Sequence, residues 1–275
     1  MDDVLGYRDA SVVVTGAASG MGAAAARILV DLGAQVTALD IKPTDVPVSR
    51  FVEVDLRDPA AIDAAVASID GPVDNLFSCA GLPGPPFSEL DTMLVNWVGA
   101  RHLAQGLVAK MPSGSSITAI SSSAAVGWQD QMATLGPLLE TPGFGEAVDW
   151  LKAHEESWSW SGYMFSKWVV DAWVGWWYPD LAGQGIRINC TNPGPTDTAM
   201  MPAFHDFATK EVVDQAVGPI GRYARAEEQA WPLVMLGSRR SSYVAGEVLA
   251  VDGGFDGARH VGRQQADWAD MVTDS

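Results

Sequence analysis

Ser11-Val12-Val13-Val14-Thr15-Gly16-Ala17-Ala18-Ser19-Gly20-Met21-Gly22-Ala23-Ala24-Ala25-Ala26-Arg27-Ile28-Leu29 joins three kinds of sequence without a break. The first five residues are a short β-branched run and predict a buried strand. Ala23 to Leu29 is a strong helix former. Between them lies a turn spaced Gly-x3-Gly-x-Gly. Glycines let the backbone approach a pyrophosphate, and a helix N-terminus supplies free N–H groups and a favourable dipole. A glycine-rich loop alone carries little weight. Its place between a strand and a helix makes this one an anion site.

Further along, Gln35 to Asp40 reads as a second strand, ending in an acid 18 residues beyond Gly22. A carboxylate there can accept hydrogen bonds from both ribose hydroxyls of an adenosine, and it would repel a 2′-phosphate, so NAD is favoured over NADP. Lys42, two residues on, reads as solvated. Phe51 to Leu56 is a third strand. Asp55 at its end either meets the adenine edge or caps the next helix, Pro59 to Ile69. Val73 to Gly81 gives a fourth strand ending in small residues, on which a flat ring or ribose can sit. Leu82 to Ser88 is a surface loop. A helix from about Asp91 carries Asn96 in an otherwise apolar stretch. A buried amide must be paired, so Asn96 braces the backbone or holds a water.

Ser116 to Ser123 is a fifth strand ending in three serines, where open α/β sheets bind ligands. Ile186 to Thr191 and Glu247 to Gly254 complete seven strands. The alternation predicts an α/β fold: one doubly wound, Rossmann-type parallel sheet in a single dinucleotide-binding domain over 1–275, with a helical insertion after strand five.

Apolar residues make up 48% of the 275 and charged residues 19%, which reads as soluble and globular. No apolar run reaches the roughly 18 residues that span a membrane, and Met1-Asp2-Asp3 lacks the basic flank of a secretory signal. A net charge of −17 argues against nucleic acid. Cys79 and Cys190 lie in apolar, strand-like segments and are expected as buried thiols of a cytoplasmic protein rather than a disulfide. No Cys/His cluster offers a metal site; His102, His154, His205 and His260 are scattered.

Ser161-Gly162-Tyr163-Met164-Phe165-Ser166-Lys167 opens a run with apolar residues at helical spacing. Tyr163 and Lys167, four residues apart, should share one helix face. A phenol beside an ammonium loses its proton more easily than its reference pKa of about 10 suggests, and can serve as a general acid or base.

Thr15-Gly16-x3-Gly20-x-Gly22, Asp40, Cys79-Ala80-Gly81, Asn96, Ser122, Tyr163-x3-Lys167 and Pro193-Gly194-x3-Thr198, in this order from Ser11 to about Gly254, resemble the short-chain dehydrogenase/reductase superfamily. The resemblance implies an oxidoreductase with Asn96, Ser122, Tyr163 and Lys167 as its catalytic group; Ser121 and Ser123 are lesser candidates for the serine. Tyr163 would exchange the alcohol proton while hydride passes to or from the nicotinamide. Lys167 would lower the tyrosine pKa and bond the nicotinamide ribose. Ser122 would donate to the substrate oxygen, and Asn96 would hold a water joined to Lys167. The implied NAD-binding set is Gly16, Ser19, Gly20, Met21, Gly22, Asp40, Asp55, Leu56, Ala80, Gly81, Tyr163, Lys167, Pro193, Gly194, Thr196 and Thr198. One departure is Ser78-Cys79-Ala80-Gly81 where the family has Asn-Asn-Ala-Gly, which changes the side-chain bracing after strand four.

A second departure is the 41-residue interval from Ser122 to Tyr163. Its extra stretch, about 127–161, holds Trp128, Trp150, Trp158 and Trp160, with short helices expected at Pro137 to Glu140 and Phe144 to Lys152. It reads as a wall or lid over the substrate pocket, with structural covering or a subunit contact as the alternative. The following helix is itself rich in tryptophan; relatives often pair it between subunits, which implies a homodimer or homotetramer, and the alternative is that the insertion covers it within one subunit. The long interval resembles a branch that includes bacterial 3α-hydroxysteroid dehydrogenase/carbonyl reductases and coniferyl-alcohol dehydrogenases. A bulky hydrophobic or aromatic alcohol or ketone is the implied substrate. Ala199 to Val217, with Met200, Met201, Phe204 and Phe207, should form another pocket wall, and the tail 259–275 should be mobile or reach a neighbour. The rival readings are an NAD-sensing binding protein without turnover, and an epimerase or dehydratase.

Overall fold

The computed structural model describes residues 3–265, without the Phe207 side chain. Seven parallel strands form the sheet: β1 (Ser11–Thr15), β2 (Gln35–Asp40), β3 (Arg50–Glu53), β4 (Asn75–Ser78), β5 (Ser116–Ile120), β6 (Arg187–Pro193) and, after a two-stranded ribbon of β7 (Thr196–Asp197) and β8 (Ala224–Arg225), β9 (Val248–Val251). Their order is β3-β2-β1-β4-β5-β6-β9. The chain leaves β1 toward one edge and restarts at β4 on the other side. The crevice beyond the carboxyl ends of β1 and β4 is therefore the switch point where such sheets take ligands.

The helices are α1 (Gly20–Asp31), α2 (Pro59–Ser68), α3 (Glu89–Met93), α4 (Gly99–Val108), α5 (Met132–Leu139), α6 (Phe144–Ala153), α7 (Gly162–Ala182), α8 (Met201–Gln215), α9 (Ala226–Gly237) and α10 (Phe255–His260). Both faces of the sheet are covered, so its strands are apolar on both sides. Val12 and Val14 join the core that α1 and α9 complete. Val13 points the other way, to the core containing Leu103, Leu107, Phe165 and Val169. Asp58, not Asp55, caps α2, its side chain accepting from Ala60 N at the turn into Pro59. Asp55 lies past the end of β3, because β2 stops at Asp40 and pairs no farther than Glu53.

The insertion forms α5 and α6, the first beginning five residues earlier than its sequence suggests. No described residue from 127 to 161 lines the cavity beside Ser122, and the packing bears out the alternative, a covering of apolar surface. Its apolar side chains are spent on the core instead. Leu135, Leu138, Ala147, Leu151 and Trp158 pack into the cluster that holds Phe165, Trp168 and Trp173 of α7. Trp168 Nε1 donates to Val126 O at 3.1 Å, and Trp158 Nε1 to Leu151 O at 2.8 Å. Arg101 fixes the turn between α5 and α6, donating to Thr141 O and Oγ1 and to Gly143 O while lying over the Trp97 ring. Of the tail expected to be mobile, 266–275 lies outside the described residues. Among those described, no helix is long and apolar enough to cross a membrane.

Candidate active site

The turn after β1 is shaped by what its glycines exclude. Gly16 has φ +66, and an added Cβ would fall 2.7 Å from Ala80 N and Cα. A Cβ on Gly22 would strike the Gly16 carbonyl oxygen. The first turn of α1 thus rests directly on the ends of β1 and β4. Thr15 Oγ1 accepts from Cys79 N at 3.0 Å and Ala80 N at 3.1 Å, so the strand ends are braced from β1 although Cys79 stands where an amide was expected. Ser19 occupies the N-cap of α1 without a side-chain cap bond. Asp40 is fixed by two backbone donors, Ala18 N to Oδ2 at 3.0 Å and Lys42 N to Oδ1 at 3.1 Å, and Lys42 is exposed as expected. Asp55 forms a bidentate pair with Arg57. The Arg57 guanidinium beside it holds its carboxyl below the usual range despite partial burial.

These residues line one groove: Gly16, Ser19, Gly20, Met21, Gly22, Asp40, Asp55, Leu56, Ala80, Gly81 and Thr198. It runs into a second cavity through shared walls at Met21, Cys79, Ala80, Gly81 and Thr198. Ser122, Tyr163, Lys167, Pro193, Gly194 and Thr196 line that second cavity. Of the candidates, Asn96 alone lines neither.

Tyr163 and Lys167 are placed by α7, whose N-cap Ser161 accepts from Met164 N and whose first N–H, at Gly162, donates to Glu89 Oε2. Tyr163 and Ser122 line the same cavity, close enough for the serine hydroxyl to bear on the phenol. Burial pushes the Tyr163 phenol up to about 12, and the Ser122 hydroxyl pulls it the other way. The expected lowering by lysine is not the main influence here. Lys167 Nζ donates to Ile120 O at 3.1 Å and lies over the face of the phenol ring, 5.6 Å from its centre. Burial in turn pulls the Lys167 ammonium down from its ordinary value.

Asn96 sits in a π-helical turn, Leu94–Val98, between α3 and α4, a geometry frequent at functional sites. Its Oδ1 accepts from Leu82 N at 2.7 Å, and its Nδ2 donates to Leu82 O and Ser166 Oγ. The side chain therefore braces the backbone at Leu82, one of its two sequence readings. Phe204 of α8 meets the Tyr163 ring edge-on, 4.9 Å between centres, and Met201, Val212 and Val213 extend that apolar wall. The Phe207 side chain lies outside the described residues.

Sequence reading missed Asp171, a fully buried carboxylate one turn beyond Lys167. Its one signal was an acid inside an apolar helical run. Cys79 and Cys190 are free thiols. Among the described residues no cluster could hold a metal ion.

Residues 10–134 match the family profile described as short chain dehydrogenase, and 134–256 match that of enoyl-(acyl carrier protein) reductase. The chain is 30% identical to a cis-4-hydroxycyclohexanecarboxylate dehydrogenase of Sinomonas cyclohexanicum, over 90% of this chain and 97% of that one. It is 29% identical to a coniferyl-alcohol dehydrogenase from a Pseudomonas species, over 89% and 95%. A solved 3-alpha-hydroxysteroid dehydrogenase from Pseudomonas sp. B-0831, complexed with NADH, superimposes with a TM-score of 0.77 at 27% identity, over 93% and 100%. With the glycine turn, the switch-point groove and the Tyr163–Lys167 helix in place, the chain belongs to the short-chain dehydrogenase/reductase family of NAD(P)-dependent oxidoreductases.

Proposed function

We propose that this protein oxidises a bulky hydrophobic or aromatic alcohol with NAD, and reduces the matching aldehyde or ketone in reverse, with Tyr163 as general acid and base. One observation carries the reading. The hydroxyls of Ser122 and Tyr163 face a largely apolar cavity that opens into the glycine-lined groove containing Asp40.

The residues present fit a dinucleotide. Gly16, Ser19, Gly20, Met21 and Gly22 offer a backbone cradle that Cβ atoms at positions 16 and 22 would fill. Asp40 takes the adenosine ribose and disfavours a 2′-phosphate, while Arg57, the nearby guanidinium, is engaged by Asp55. Asp55 and Leu56 flank the adenine. Ala80, Gly81, Lys167, Pro193, Gly194, Thr196 and Thr198 hold the nicotinamide half. When bound, the nicotinamide supplies the hydride acceptor or donor.

The chain's own groups do the rest. Tyr163 Oη takes the alcohol proton or returns it, and Ser122 donates to the substrate oxygen as charge develops there. Lys167 sets the charge around the phenol. Asn96 acts at one remove, holding Leu82 and the start of α7. Met201, Phe204, Val212 and Val213 exclude water and select apolar rings. The same reading takes 1–275 as one catalytic domain in a cytoplasmic homodimer or homotetramer, supported by large apolar side chains left exposed at Trp176, Trp231 and Tyr243.

The test is reduced-nicotinamide absorbance with a panel of hydroxysteroids, coniferyl alcohol and other aryl alcohols, run with NAD and with NADP. Turnover with at least one bulky alcohol and a preference for NAD is expected. Tight NAD binding with no turnover of any member would instead support a sensor.

A further inference from the structure

The helix α8 is broken in its middle. Thr209 has φ 58° and ψ 155°, a region that β-branched residues almost never occupy. Such strain persists only where the surroundings fix it. The break divides the apolar wall of the cavity beside Ser122. Met201, Phe204 and Ala208 come from the first half, Val212 and Val213 from the second. Two helical pieces that meet at one residue can hinge there, so the shape of the wall depends on what joins them.

A chain of hydrogen bonds through one phenol joins them. Tyr223 Oη donates to Asp214 Oδ1 of the second half at 2.7 Å. A hydroxyl that donates once can still accept. His205 Nε2 of the first half stands 3.2 Å from the same oxygen, and with the proton on that nitrogen it donates to Tyr223. Lys210 pairs with the other carboxylate oxygen, Asp214 Oδ2, and lies 5.7 Å from the centre of the Tyr223 ring. Burial and the Asp214 acceptor push the Tyr223 phenol up to about 12, so it keeps the proton it gives. His205 follows Phe204 and Asp214 follows Val213, so each tie sits next to a wall residue.

Tyr223 is itself a fixed post. On one side Arg222 forms a bidentate pair with Glu228 of α9, at 2.7 and 2.8 Å. On the other, Ala224 N donates to Pro195 O at 2.9 Å, and Ala224 pairs with Thr196 in the β7–β8 ribbon. The far end of α8 has further anchors, Ala216 packing with Phe255 and Gln264 Nε2 donating to Gln215 O. Both act past the break, on the side away from Phe204.

We propose that Tyr223 is a positioning residue for the substrate: its hydroxyl bridges the two halves of α8 across Thr209 and so holds Phe204 against Tyr163, giving the cavity a wall that grips a ring. The inference rests on the reading of that cavity as the substrate pocket. With the bridge cut, the wall yields and a ring is held less firmly. Ser122, Tyr163 and Lys167 stand on other elements and keep their places.

Tyr223→Phe keeps the aromatic ring and removes the bridge. Two alcohols with the same allylic centre read the result, coniferyl alcohol with an aryl ring and allyl alcohol without one. KM for coniferyl alcohol should rise about tenfold, while its kcat, and kcat/KM for allyl alcohol, stay within about twofold of the parent. A loss of kcat shared by both alcohols, or an unmoved KM, overturns the proposal. Asp214→Asn leaves a carbonyl oxygen for the phenol to bond, so its KM should stay within about threefold, and Asp214→Ala should match Tyr223→Phe. A defect in Asp214→Asn as large as that in Asp214→Ala would give the tie to the Lys210 ion pair and overturn the role of Tyr223. Amide hydrogen exchange needs no turnover. In Tyr223→Phe, peptides covering 201–208 should exchange about fivefold faster or more, with those of α1 unchanged. Parental rates in 201–208 overturn the proposal whatever the kinetics show. If the parent turns over no alcohol of the panel, the catalytic reading is what fails, and the exchange rates still decide whether Tyr223 holds α8.

Discussion

Asn96 stands one hydroxyl away from the Tyr163 backbone: its Nδ2 donates to Ser166 Oγ at 2.9 Å, and Ser166 Oγ donates to Tyr163 O at 2.6 Å. The same amide closes on Leu82 from both ends. Asn96→Ala strands several buried groups together, so unfolding by denaturant should show a loss of about 2–3 kcal/mol. Turnover should fall with it. A variant as stable as the parent would show that water substitutes for the amide.

Tyr163→Phe should abolish turnover, by about a hundredfold or more, while NAD affinity measured by fluorescence quenching stays within about threefold. Phenylalanine keeps the ring against Phe204 and removes only the hydroxyl. An active variant would move the proton exchange to another group.

Burial keeps the Tyr163 hydroxyl protonated at neutral pH, with its pKa pushed up to about 12. A protonated phenol donates and a phenolate accepts. Raising the pH from neutral should therefore speed alcohol oxidation, while carbonyl reduction holds level until the pH nears about 12, as read from kcat/KM in both directions. Parallel slopes would rule out a shared acid and base.

Asp40→Ala removes the carboxylate held by Ala18 N and Lys42 N, and leaves Lys42 as the exposed charge nearest that end of the groove. The ratio of kcat/KM for NAD over NADP should fall by about tenfold or more. An unchanged ratio would place the discrimination elsewhere, with Asp55 and Arg57 next in line.

Arg101 is buried, and it alone among the described side chains ties Thr141 and Gly143 back to α4. Arg101→Ala should cost about 2–4 kcal/mol and expose the α5–α6 turn to limited proteolysis. NAD affinity should survive, because neither Arg101 nor the α5–α6 turn lines the groove. Resistance to protease equal to the parent's would show that the leucines of α5 hold the turn unaided.

The limits of β1 and β2 were legible because each is a short apolar run with glycine or an acid at its end. The end of β3 was not, since Val54 to Leu56 keep an alternating pattern after their partner strand has stopped. The motif residues, Asn96 excepted, line two joined grooves. Residues 127–161 admit two compatible readings from sequence, pocket wall and covering of apolar surface, and the packing shows the covering. Closeness in sequence to Ser122 and Tyr163 says nothing of which side a segment covers, and the apolar surface of α7 won the competition for its leucines. Asp171 escaped notice for the same cause: an acid in a helix reads as solvent-facing until something is known to cover it.

That wrapping bears on how activity depends on dilution. From Phe165 to Val174 the helix carrying Tyr163 is sheathed by residues of its own chain, so the packing there is an intramolecular matter and carries no concentration term, whereas Trp176 farther along stays exposed. Whatever assembly the protein forms, separating the subunits leaves Trp168 and Trp173 covered and the phenol held at its post.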